Sequence, residues 1–187
     1  MQAQLGELSV LVGDLVELAR TDAPQIATEW LDLSVVVDHA VERARRRAPS
    51  VRFDVGAEPW MVWGDATLLE RAAMNLLDNA AKWSPPDGTV TVSLADGVLR
   101  VTDEGPGIEA ADLPHVFERF YRATDARGLP GSGLGLAIVQ QAAERHGGFA
   151  VADRAESGGA LMSMGIPGQP PVADDAAATE GAVDSPS

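Results

Sequence analysis

Around the stretch ERAAMNLLDNAAKWS, residues 70–84, apolar residues recur at helical spacing: Leu69, Ala73, Leu76, Leu77 and Ala80. That pattern predicts an amphipathic helix with its stripe laid on a sheet. Asn75, Asn79 and Lys82 follow at i, i+4 and i+7, so they project together beside the stripe. A second helical pattern runs from Leu33 to Ala48 through Val36, Val37, Ala40, Val41 and Ala44, and a third from Gly133 to His146. Near the start, Leu5, Leu8, Val12, Leu15 and Ala19 alternate three- and four-residue steps, a heptad seam that asks for a partner helix. Short strands are predicted at 51–55, 60–62, 89–94, 98–102, 149–153 and 160–166. Asp96-Gly97 turns one hairpin, and Pro85-Pro86-Asp87-Gly88 forms another turn. Thr21 to Trp30, with Pro24, reads as a linker. Beyond Gly168 the Ala, Pro, Asp and Ser composition has no period and predicts disorder.

Composition narrows the function. The 187 residues are 45% apolar, enough for one cored domain with an appendage. Net charge is −14, which argues against a general nucleic-acid binder. There is no cysteine, so disulfides and thiolate metal sites are excluded. No apolar run approaches the roughly 20 residues of a membrane span, and the acidic, amphipathic start does not resemble a signal peptide. The chain reads as soluble and cytoplasmic.

Three segments carry candidate chemistry. Lys82 is the one lysine, and with the two amides beside it suits a metal-bound polyphosphate: an amide oxygen can ligate Mg²⁺, and an ammonium can neutralise phosphate. Asp103 continues the apolar face of Leu99 and Val101 and so wants a donor, such as the amine of a bound base. Gly105 and Gly107 let the backbone turn after it. Gly131-Ser132-Gly133-Leu134-Gly135 feeds a helix N-terminus, a ready anion site. This loop does not follow a strand, as a dinucleotide fingerprint would, and lacks the Lys-Ser/Thr pair of a Walker loop.

Paired asparagines on a helix, Asp-x-Gly-x-Gly, Phe-Glu-Arg-Phe-Tyr-Arg and Gly-x-Gly-x-Gly come in that order. The chain here resembles the ATP-binding domain of sensor histidine kinases, in the superfamily that includes gyrase, a heat-shock chaperone and MutL. AAKWSPPDG and HVFERFYRA look like the narrower MprB type. The resemblance implies an α/β (α+β) two-layer sandwich, a mixed sheet covered by helices on one face. It divides the chain into a truncated second bundle helix (1–21), a linker (22–31), the catalytic domain (32–167) and an acidic tail (168–187). It implies that Asn79 ligates Mg²⁺ with Asn75 in support, and that Lys82 touches phosphate. Trp83 would lie near the base, and Asp103 would accept from the adenine amine, with Gly105 and Gly107 shaping the pocket. Phe117 to Arg122 would start an ATP lid, with Arg119 or Arg122 contacting phosphate. Gly131, Gly133, Leu134 and Gly135 would cover the phosphates.

The acceptor histidine of such kinases sits in a His-Glu-Leu-Arg-Thr-Pro type sequence, a context that His39, His115 and His146 all lack. The implied reaction is therefore transfer of the ATP γ-phosphoryl group to a histidine outside this chain. The implied partners are the kinase's own dimerisation and phosphoacceptor domain, a second protomer and a cognate response regulator, with membrane contact only through upstream segments. Rival readings are a gyrase- or MutL-type ATPase, disfavoured by Asn75 where a glutamate base would stand, an anti-sigma-factor serine kinase, and a non-catalytic nucleotide-binding fragment.

Overall fold

The computed structural model describes residues 28–123 and 131–172. The heptad seam, most of the linker, the 124–130 part of the lid and the tail from 173 lie outside the described residues. In chain order the elements are β1 (Glu29–Asp32), α1 (Leu33–Arg47), β2 (Arg52–Ala57), β3 (Met61–Gly64) and α2 (Ala66–Trp83). They continue with β4 (Thr89–Ala95), β5 (Val98–Thr102), α3 (Gly135–Arg145), β6 (Phe149–Arg154) and β7 (Ala160–Gly165).

Five strands form a mixed sheet in the order β2-β4-β5-β7-β6, with β2 and β4 parallel and every other neighbour antiparallel. The strands alternate as half-buried strands must: Val90, Val92 and Leu94 of β4, and Leu99 and Val101 of β5, face the core. The apolar stripe of α2 meets them, burying Leu69, Leu76 and Leu77 completely or nearly so. This helix lies between α1 and α3, and that central place lets one of its edges carry a site while the stripe holds the fold. The α/β sandwich with helices on one face is as the sequence predicts. Among the described residues no helix is long and apolar enough to cross a membrane.

Two boundaries move. Glu29–Asp32, expected as the end of a linker, pairs antiparallel with β3 in a separate two-stranded sheet. Its four residues are too few to declare a period, and the pairing rests on tertiary neighbours: Trp30 opposes Trp63 edge-to-face, with ring centroids 5.8 Å apart. At the other end, Gln169, expected in the disordered tail, exchanges both backbone hydrogen bonds with Met61 at 2.8 and 2.9 Å. The ordered chain therefore runs past residue 167.

Helix α2 is aimed from its N-terminus. Asp65 caps it, accepting from the Thr67 and Leu68 N–H groups at 2.9 and 3.1 Å. The Asp65 N–H in turn donates to Nε2 of His146 at 3.0 Å, while Nδ1 of that ring donates to the Ala142 carbonyl. His146 therefore ties the start of α2 to the end of α3 through both ring nitrogens.

Candidate functional site

The edge of α2 opens on a cavity of about 450 Å³, walled by α2, the segments after β5 and before α3, and the ends of β6 and β7. Asn75, Asn79 and Lys82 line it together, as the helical spacing predicts, and Trp83 lines it beside them. Asn75 Nδ2 is buried with no hydrogen-bond partner, a costly state for a side chain that faces a cavity. The Lys82 ammonium lies 5.5 Å from the Trp83 ring centroid. Burial along the wall, and then the Arg122 guanidinium, hold the Lys82 ammonium below the usual lysine range.

Asp103, 2% exposed, lines the cavity from the end of β5. Its Oδ1 accepts from the Gly105 N–H at 2.9 Å and the Ala160 N–H at 3.0 Å, and no bond to Oδ2 occurs among the described residues. One carboxylate oxygen thus fixes the turn while the other remains for a ligand donor. Gly107 lines the cavity with φ +79°, and a Cβ there would lie 2.5 Å from the Gly158 carbonyl oxygen. Gly105 lies outside the lining and shapes it from behind, because a Cβ there would press on the Trp83 carbonyl.

The glycine loop meets α2 from the far side. Gly131, Gly133 and Gly135 line the cavity. A Cβ on Gly131 would approach Lys82 Nζ to 3.2 Å, and one on Gly135 would approach Asn75 Oδ1 to 3.3 Å. Gly133, at φ +74°, leaves no room for a side chain against the Phe120 backbone. Its carbonyl accepts the Phe120 N–H at 2.9 Å, which stitches together the two ends of the lid segment. Leu134 does not face the cavity; it is fully buried against Ile138 and anchors the start of α3.

The lid arginines separate. Arg122 lines the cavity, whereas Arg119 is exposed and outside its lining. The reason lies in the turn between them: Phe120 takes φ +65°, which reverses the chain before Tyr121 and Arg122. Tyr121 then donates its hydroxyl proton to Asp112 Oδ1 at 2.6 Å, and both line the cavity.

Sequence reasoning missed several contributors besides Asp112. Asp78 joins the lining from α2 while its Oδ2 binds Arg47 Nη1 at 2.7 Å. Burial pushes the Asp78 carboxyl up, against the opposing pull of Arg47 and Arg43. Its position three residues after Asn75 and four before Lys82 was the available signal. Gly159 was missed as well, although its pairing with Gly158 marks a turn: a Cβ there would collide with the Asp103 carbonyl oxygen. Ala160 and Arg154 complete the wall and carry no motif. Among the described residues no group of three or more His, Asp or Glu side chains could hold a metal by itself.

Comparison with known proteins shows the family to which the chain belongs. Residues 64–170, more than half of the chain, match the family described as histidine kinase-, DNA gyrase B-, and HSP90-like ATPase. The signal transduction histidine-protein kinase/phosphatase MprB of Mycolicibacterium vanbaalenii is 49% identical over 177 residues, covering 90% of this chain and 37% of that protein. The Mycobacterium avium protein of the same name is 48% identical, covering 90% and 34%. The chain thus spans about a third of the length of these curated relatives. Among solved structures, a mycobacterial sensor histidine kinase MprB superposes with TM-score 0.71 at 46% identity, covering 76% of this chain and 99% of that one. Full-length ShkA in complex with AMPPNP superposes with TM-score 0.75 at 26% identity, covering 91% and 38%. By the match over residues 64–170 and the likeness to MprB, the chain belongs to the histidine kinase-, DNA gyrase B- and HSP90-like ATPases.

Proposed function

We propose that this chain is the ATP-binding catalytic portion of a two-component sensor histidine kinase, passing the γ-phosphoryl group of ATP to a histidine outside the chain for onward transfer to a response regulator. The observation that carries the reading is one cavity with two chemically distinct ends. Asp103 offers a buried acceptor to a base amine, and Asn75, Asn79, Lys82 and Arg122 gather amides and cations opposite it. Supporting it, the relatives that the chain resembles are named as histidine kinases.

Adenine sits against Asp103 and Gly107, with Trp83 beside it, and the phosphates run toward Lys82, Arg122 and the Gly131–Gly135 loop. The donor set fits a magnesium–polyphosphate: an amide oxygen is a hard ligand, and the unpartnered Asn75 Nδ2 is a donor for a phosphate oxygen. Asn79 would hold Mg²⁺, with Asn75 in support, and the ion would supply charge neutralisation at the phosphate oxygens. The residues of the chain bind, orient and shield. The acceptor imidazole nitrogen bonds to the γ-phosphorus as the bond to the ADP oxygen breaks, and the imidazole proton passes to a base supplied with the acceptor. The acceptor belongs to a dimerisation domain shared with a second protomer.

The three histidines of the chain are poor acceptors. His39 is exposed on α1, His115 pairs with Glu118 at 2.7 Å, and both ring nitrogens of His146 are engaged. None lines the cavity, so none reaches the near in-line approach of about 3–3.5 Å that transfer needs. With radiolabelled ATP and Mg²⁺ the chain should bind nucleotide yet form no acid-labile phosphoprotein, and label should appear on an added two-helix acceptor domain. Stoichiometric acid-labile label on His39, His115 or His146 would overturn the reading.

A further inference from the structure

Asp103, Ala160 and Arg154 form one row across three strands. The Asp103 N–H donates to the Ala160 carbonyl at 3.1 Å, and the Ala160 N–H returns a bond to Asp103 Oδ1. Ala160 is also the register partner of Arg154 across β7 and β6. Directly opposed residues share a face of a sheet, and all three line the cavity. Neighbouring strands lie about 4.8 Å apart, so the row spans about 10 Å of backbone. Its middle position carries only a methyl group. The acceptor of Asp103 and the long cationic side chain of Arg154 therefore lie on one wall of the cavity, with nothing larger than a methyl group between them.

The Arg154 side chain, exposed at the end of β6, reaches back along this row toward the turn after Asp103. Its Nε lies 3.5 Å from where a Cβ on Gly107 would stand, in the turn that follows Asp103. Among the described residues its guanidinium makes no hydrogen bond or ion pair; only its backbone N–H is engaged, by Asp153. A guanidinium donates and never accepts, and keeps its charge at every working pH.

We propose that Arg154 is a specificity-determining residue of the nucleotide site, donating to ring nitrogen N1 of adenine beside the amine that Asp103 accepts. This rests on the ATP-site reading above. Adenine presents a donor, the 6-amine, next to an acceptor, N1. Guanine presents the reverse, the 6-oxygen next to an N1–H. A site holding an acceptor and a donor side by side matches adenine at both atoms and opposes guanine at both. Asp103 reads one atom of the pair and Arg154 reads the other. N7 is an acceptor in both purines, so a contact there would discriminate nothing.

Calorimetric titration of the whole chain with ADP, 1-deaza-ADP, 7-deaza-ADP and GDP tests this. Wild type should bind 1-deaza-ADP about tenfold more weakly than ADP, the scale of a lost charge-assisted bond. It should bind 7-deaza-ADP as it binds ADP. Arg154→Ala should weaken ADP by a similar factor, erase the gap to 1-deaza-ADP and narrow the preference for ADP over GDP, with an unchanged melting profile. Arg154→Lys should restore part of the gap. Equal losses for every analogue in Arg154→Ala, a gap that persists in that variant, or a loss that follows 7-deaza-ADP would each overturn the assignment. A wild-type chain that binds no ADP would sink the ATP-site reading itself; binding without any analogue gap would sink the Arg154 role alone.

Discussion

At the Asp103 end of the cavity the protein's own groups are matched: the carboxylate is buried, and two backbone N–H groups already bond it. At the Asn75–Lys82 end they are not. An amide nitrogen is buried with no partner, and Lys82 and Arg122 are close enough for their charges to oppose each other. Buried polar groups are nearly always satisfied, and exceptions cost stability. On the proposed ATP-site reading, the difference separates an end whose own groups are satisfied from one whose buried amide is left for an incoming anion. Substitutions should therefore injure fold and binding together at the first end, and binding with its metal and pH dependence at the second.

The largest effect should come from Asp103→Ala. It strands the Gly105 and Ala160 N–H groups, each costing about 1–3 kcal/mol when buried. Thermal unfolding should shift down, and ADP affinity should fall by about a hundredfold, the scale of losing a buried charged acceptor. Asp103→Asn keeps an acceptor oxygen for the turn, so it should spare the fold while weakening ADP and narrowing its preference over GDP. Unchanged ADP affinity in the Asn variant would remove the adenine assignment.

Gly159→Ala tests the same end from behind. Its Cβ would meet the Asp103 carbonyl oxygen, so β5 and β7 must part or the turn must shift, at a cost of about 1–3 kcal/mol. Gly147→Ala is the control: φ is +72° there but open space surrounds it, leaving only the left-handed penalty of about 1 kcal/mol. Denaturant titration should rank the two in that order, and Gly159→Ala alone should weaken ADP. Equal effects on both would mean that the β6–β7 turn does not support Asp103.

At the other end, Asn79→Asp should leave unfolding unchanged and alter the Mg²⁺ concentration needed for half-maximal ADP binding by several-fold, since a carboxylate binds the ion more strongly than an amide oxygen does. An unaltered Mg²⁺ dependence would take Asn79 out of the metal site.

The unequal legibility of the two ends follows from the same contrast. Asn75, Asn79 and Lys82 share one helix, so period alone places them together, and Asp103 continues a two-residue strand pattern. These are local rules, and the structure obeys them. Arg154 and Gly159 reach the site through a register between strands β5, β7 and β6, a non-local pairing that no short window contains. Arg119 and Arg122 sit three residues apart and looked equivalent, until a positive φ at Phe120 sent one into the cavity and the other to solvent. A left-handed phenylalanine is not a choice its sequence announces. The strand Glu29–Asp32 was missed for a related reason, since its pairing depends on β3.

The smallest effect is a pH dependence at the phosphate end. Lys82 as a whole residue is exposed, but burial of its ammonium along the wall, together with Arg122, depresses its pKa below the ordinary 10.5. A bound polyphosphate favours the ammonium and raises that pKa. Below the free-state value Lys82 is charged with and without nucleotide, so affinity is flat. Between the free and bound values binding takes up a proton, and affinity should fall as pH rises. For folding the sign reverses. The unfolded chain holds the Lys82 proton more tightly than the folded one, so the stability of the nucleotide-free protein should rise across the alkaline window that opens below 10.5. Calorimetry and denaturant titration from neutral pH upward should show affinity falling a few-fold while stability gains. Lys82→Met should remove both slopes and lower affinity at neutral pH. Arg122→Gln should delay both to higher pH by relieving the like-charge repulsion. Slopes that persist in Lys82→Met would assign the titration to another group and leave the phosphate end without its lysine.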